Sequence, residues 1–74
     1  MSPALPVVSG RDVVKALGRC GFAEVSQHGS HVKLRNPEAH TVIVPMHREL
    51  APGTLRSILR QAGIDGDELS ALLR

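Results

Sequence analysis

A chain of 74 residues with a formal net charge of +2 holds one small domain, and at this size only about 60% of the unfolded surface is buried, so the core is modest. A single cysteine, Cys20, excludes an intramolecular disulfide framework and fits a reducing, cytosolic setting. No apolar run approaches the roughly 20 residues that span a bilayer, and "MSPALPVVSG" lacks the basic and apolar regions of a secretion signal, so neither a membrane nor an export role is expected.

The charge is unevenly placed. Residues 1–60 carry eight Lys/Arg against four acids, whereas residues 61–74 carry Asp65, Asp67 and Glu68 against Arg74. A basic body of this kind suits a polyanionic partner, although a mildly basic surface is also common in small soluble domains.

Residues 1–8 contain two prolines and read as an extended lead-in, with one domain over 9–74. Ser9 is placed as a helix N-cap with Asp12 three residues on, a partial match to a capping box. Val8 and Val13 occupy the hydrophobic-staple positions. Val13, Val14 and Leu17 form an apolar stripe, and Arg11, Lys15 and Arg19 recur every four residues on another face. Gly21 suits the left-handed position that ends a helix, with Phe22 folding back on Leu17 into the core.

Three short strands are predicted next. Residues 23–28 alternate weakly, Gly29–Ser30 supplies a turn, and residues 31–35 alternate cleanly. On that second strand Val32 and Leu34 face one way, and His31, Lys33 and Arg35 the other. "NPEA" over 36–39 is a turn with Pro37 at its second position. The β-branched run 40–44 reads as the third strand, closed by Pro45. Residues 45–51 are a loop, and Pro52 suits the first position of a helix. Leu55, Ile58, Leu59 and Ala62 give that helix its core stripe. Gly63 ends it, with Ile64 packing on Leu59. Asp65 and Glu68 have capping-box spacing and start a short last helix with Leu69, Leu72 and Leu73 on one side.

The order α-β-β-β-α plus a short α predicts an α+β domain. Two tight connections imply an antiparallel sheet, and a sheet this small needs helices over one face. That layout is shared by the double-stranded-RNA-binding domain, although a fold does not by itself fix a function.

Four histidines invite a search for chemistry. His28 and His31 are close enough across the turn to reach one ion, but a zinc site needs three or four ligands, and no finger, HExxH or CxxC spacing is present. Ser30 and His31 are strand neighbours pointing to opposite faces, with no nucleophile elbow. Metal-free RNA cleavage needs less: one group to take the 2′-OH proton and cations to stabilise the transition state. Histidine suits the first role and Lys or Arg the second. His31 with Lys33 and Arg35 has that composition, as does any solvated basic strand face. His28 reads as a structural or surface residue, and His40 as an exposed strand start. The lack of Tyr and Trp argues against an aromatic base-stacking platform.

Five short motifs in order resemble the HicA family of bacterial toxins, also described as YcfA-like. They are Gly21–Phe22, Gly29–Ser30–His31, Val44–Pro45–Met46–His47, Gly53–Thr54–Leu55 with Ile58–Leu59, and Ala62–Gly63–Ile64. The resemblance covers about residues 9–65. It departs in a tight His47–Leu50 loop and in Ala51 and Pro52, where many members carry charge. It implies a double-stranded-RNA-binding-domain-like fold and a ribosome-independent mRNA interferase of a type II toxin–antitoxin system. It also implies an antitoxin partner, HicB, that covers the active site. The family's catalytic histidine corresponds to His31. Gly29, Ser30, Lys33, Arg35, His47 and Arg56 then become candidates for RNA binding or catalytic support, with mRNA as substrate and no metal or other cofactor expected. A non-catalytic RNA-binding module on the same fold is the alternative, and a subunit whose basic face serves only an acidic protein partner is a third.

Overall fold

The computed structural model describes residues 5–74; residues 1–4 of the expected lead-in lie outside the described residues. In chain order the elements are α1 (Gly10–Gly18), β1 (Ala23–His28), β2 (His31–Arg35), β3 (Thr41–Pro45), α2 (Pro52–Ala62) and α3 (Gly66–Leu72). The strands form one antiparallel sheet in the order β1-β2-β3. This is the α+β, double-stranded-RNA-binding-domain-like arrangement that the order of elements predicts. No helix among the described residues is long and apolar enough to cross a membrane.

Local chemistry sets the ends of the helices. The capping box at α1 is complete: the Asp12 N–H donates to Ser9 Oγ at 3.0 Å and the Ser9 N–H donates to Asp12 Oδ2 at 3.2 Å. Aspartate therefore fills the position more often held by Glu or Gln. At the other end the Phe22 N–H reaches the Leu17 carbonyl at 3.0 Å, with Gly21 at φ +100°, the six-to-one closure of a Schellman ending. Gly63 ends α2 at φ +74°, with Ile64 N–H bonded to Leu59 O at 3.1 Å. Asp65 and Glu68 form the second capping box, which opens α3.

The core lies between the helices and one face of the sheet. Val13, Ala16 and Leu17 of α1, Leu55, Ile58 and Leu59 of α2 and Leu69 of α3 are buried with Val32, Leu34, Val42 and Val44. Two pieces of irregular chain join this core. Val8 is buried, and Leu50, within the predicted loop, is buried and donates its N–H to Val8 O at 2.8 Å. Residues of the expected lead-in thus pack on the domain. Arg19 does not complete a basic face on α1. Its Nη1 donates to the carbonyls of Leu72 at 2.5 Å and Arg74 at 3.3 Å, capping the end of α3 where unpaired carbonyls and the helix dipole favour a cation.

The third strand is displaced by one residue from the expected 40–44. His40 belongs to the turn, because its N–H donates to Asn36 Oδ1 at 2.8 Å. Pro45 belongs to the strand rather than closing it. β3 is an edge strand, and there a proline can stand where no ladder donor is required. The Asn36–Ala39 turn closes with Ala39 N–H on Asn36 O at 3.0 Å, and it holds Ala39 at φ +67°. A left-handed alanine costs about 1–2 kcal/mol, partly offset in any comparison by the extra chain entropy of glycine, about 0.5–1 kcal/mol. Ala39→Gly is therefore expected to stabilise the fold by about 0.5–1 kcal/mol, read as a higher urea midpoint with unchanged slope. A lower midpoint would show that Ala39 is not strained.

Candidate functional site

The sheet has one covered face and one open face. Opposed residues of antiparallel strands project to the same side, so the pairing places three cross-strand rows on the open face. They are His28–His31–Pro45, in which Pro45 is buried, Ser26–Lys33–Ile43 and Ala23–Arg35–Thr41. A β-bulge between Glu24 and Ser26 leaves Val25 without a partner. That extra residue resets the phase of β1 and brings Ser26 and His28 to the open side.

His31 is the first residue of β2, and the hairpin before it is tightly held. Gly29 has φ +58° while Ser30 is not in the left-handed region, which fits a two-residue turn needing glycine at its first central position. The Gln27 side-chain amide donates to Gly29 O at 3.1 Å. The Met46 N–H donates to Ser30 O at 2.6 Å. Both turn carbonyls are therefore anchored, one within the hairpin and one from the end of β3. Gly29 and Ser30 act here through their backbone, and they fix where His31 begins.

His28 and His31 face each other across the hairpin as a register pair, and both are exposed. Opposed residues of this kind lie about 4.5–5.5 Å apart at Cα. No group of three or more His, Cys, Asp or Glu suited to a metal ion occurs among the described residues. Lys33 lies two residues along from His31 on the same face. Arg35 shares the face but sits at the far end of the strand, about 13 Å from His31 at the usual rise per residue. It is engaged there, with Nε donating to Thr41 Oγ1 at 3.3 Å.

His47 lies at the same end of the sheet as His31, just past Pro45. The chain direction of α2 explains why further residues collect here. Gln61, near the end of α2, accepts from the Ile43 N–H at 3.1 Å, so α2 runs back along β3 and its first turn lies at the Pro45 end. Arg56 projects from the exposed side of α2, in the helical layer and not on the open face that holds Lys33 and Arg35.

Two cations stand out at this end that the reading of the sequence did not single out. Ser9, Arg11, Met46, His47 and Arg48 line an open groove of about 320 Å³ between α1 and the loop after β3. Gly10 makes that approach possible. It is buried, its N–H donates to His47 O at 2.9 Å, and a Cβ there would collide with the Pro45 carbonyl oxygen. In the sequence, Arg11 is one member of a basic helical face, and Arg48 is an ordinary loop residue.

Cys20 offers no rival chemistry. Partial burial, reinforced by the Glu68 carboxylate, holds its thiol above the ordinary value, which keeps it protonated and poorly nucleophilic near neutral pH.

The model of the family described as the HicA toxin of bacterial toxin–antitoxin matches residues 10–64. The curated proteins contain no match to the chain. The matched span runs from the start of α1 through the residue after Gly63 and so includes the hairpin, the sheet and the groove. The chain belongs to the HicA toxin family.

Proposed function

We propose that this toxin is a metal-independent endoribonuclease that cleaves mRNA, with His31 as its general base. The observation that supports this most is the placement of His31. It begins a strand on the open face, beyond a turn whose two carbonyls are both tied down, with His28 opposite and Lys33 on the same face. A general base must reach the proton it takes and be held in a fixed position.

In this reading His31 removes the proton of a ribose 2′-OH. The 2′ oxygen attacks the adjacent phosphorus, and the bond from phosphorus to the 5′ oxygen of the next nucleotide breaks. His28, the imidazole nearest in register, returns a proton to that leaving oxygen. Lys33 offsets the charge that develops on the phosphoryl oxygens. The products are a 2′,3′-cyclic phosphate and a 5′-hydroxyl. Ser26 and Ile43 flank Lys33 on the open face, so contact with the RNA rests on backbone and local shape, and weak sequence preference follows. A HicB-type antitoxin would inhibit by covering this same open face.

The purified chain is expected to cut a single-stranded RNA in buffer containing EDTA. Loss of cutting in EDTA that a divalent ion restores would overturn the metal-free mechanism. Salt-sensitive RNA binding with no cutting under any condition would favour the non-catalytic module.

A further inference from the structure

We propose that the groove formed by Ser9, Arg11, Met46, His47 and Arg48 is a second phosphate subsite. It would hold a neighbouring phosphate of the same RNA strand whose 2′-OH faces His31. The inference rests on the RNA-cleavage reading and adds the substrate contact that would position the strand.

The first support is charge that the fold leaves free. Arg19 is bonded to carbonyls at the end of α3, and Arg35 to Thr41. Among the described residues no such internal hydrogen bond engages the guanidinium of Arg11 or Arg48, and both side chains are exposed on the groove. The nearby acid of α1, Asp12, is occupied with the Ser9 N–H. Glu49 follows Arg48 in the loop and is exposed, but it is not among the lining residues.

The second is rigidity. The two walls are joined by Gly10 N–H to His47 O at 2.9 Å, and Leu50 N–H to Val8 O at 2.8 Å holds the loop just beyond. A site whose walls are set before binding loses less entropy when a strand enters.

The third is position. His31 is paired with Pro45, and Ser30 holds the N–H of Met46. The groove therefore begins one residue beyond the partner of His31, at the same end of the sheet, with Pro45 buried between them. Arginine presents a planar fork of donors that matches phosphate oxygens, and Met46 supplies an apolar surface for the sugar. A phosphodiester strand fits this mixture better than an acidic peptide, whose carboxylates would not place a sugar on the methionine.

The test uses the His31→Ala protein, so that the RNA stays whole, and a fluorescent single-stranded RNA oligonucleotide. Affinity is measured by anisotropy over a range of salt. Arg11→Gln and Arg48→Gln are each expected to weaken binding and to reduce the slope of log affinity against log salt by about 0.7, the value for one lost phosphate contact on a single strand. Arg74→Gln, at the end of the chain, is expected to leave the slope unchanged. Unchanged slopes in both groove variants, with the His31→Ala protein still binding RNA, would overturn the subsite and leave the cleavage reading standing. No RNA binding by His31→Ala together with no cutting by the unaltered chain would instead remove the cleavage reading itself.

Discussion

Replacing His31 by alanine is expected to lower the rate of RNA cleavage by about 10²–10⁴-fold, the usual contribution of a positioned general base. The fold should be untouched, because the side chain is exposed and makes no packing contact with the core; surface changes of this kind usually stay within about 0.5 kcal/mol. The salt-dependent affinity for RNA should also be retained, since Lys33 and the groove cations remain. That separation of rate from binding distinguishes a base from a phosphate ligand. If His31→Ala cleaved at the full rate, the assignment would be wrong. If it lost binding and cleavage in the same proportion, His31 would be a contact residue and not the base.

Gly10→Ala is expected to be the most damaging substitution of a single methyl group in the chain. A Cβ at Gly10 would meet the Pro45 carbonyl oxygen and lie 2.9 Å from Met46 Cα. Both are backbone atoms, so no side-chain rotation relieves the overlap. Alanine favours helix over glycine by up to about 1 kcal/mol, but overpacking of this kind costs about 1–3 kcal/mol. The expected outcome is a net loss, out of a total stability of about 4–11 kcal/mol for a domain of this length. Relief requires α1 to move away from β3. The Gly10–His47 hydrogen bond would then be lost and the groove widened. Thermal unfolding should show the drop, and RNA affinity of the folded protein should fall with it. A variant as stable as the parent would mean that α1 and β3 are not in contact as described.

Features carried by local chemistry were legible in the sequence. Ser9, Gly21, Gly63 and the Asp65–Glu68 pair each mark a helix end through bonds between near neighbours, and the structure contains all of them. β2 was legible because its alternation is unbroken. β1 alternated only weakly because it buries neither face: Ala23 and Val25, its apolar residues, are both exposed, and Val25 is left unpaired at the bulge. The closeness of His28 to His31 was legible from the two-residue turn between them, and the bulge changes only which earlier residues of β1 share their face. Arg11 and Arg48 were not legible as a pair. They meet only because Gly10 lets α1 approach the end of β3, a contact between distant segments that local patterning does not encode. Arg19 misled for a related reason, because its helical spacing matches Arg11 and Lys15 while its guanidinium is held by the end of α3. His31 was ambiguous as a residue type, and the five ordered motifs, not its chemistry, singled it out.

The chemical ends of the cleaved RNA test the central claim most directly. If His31 activates the 2′-OH, the upstream fragment ends in a 2′,3′-cyclic phosphate and the downstream fragment begins with a 5′-hydroxyl, as mass spectrometry of the products would show. Fragments ending in a 3′-hydroxyl beside a 5′-phosphate would mean that water attacked the phosphorus, and the mechanism assigned to His31 would be contradicted.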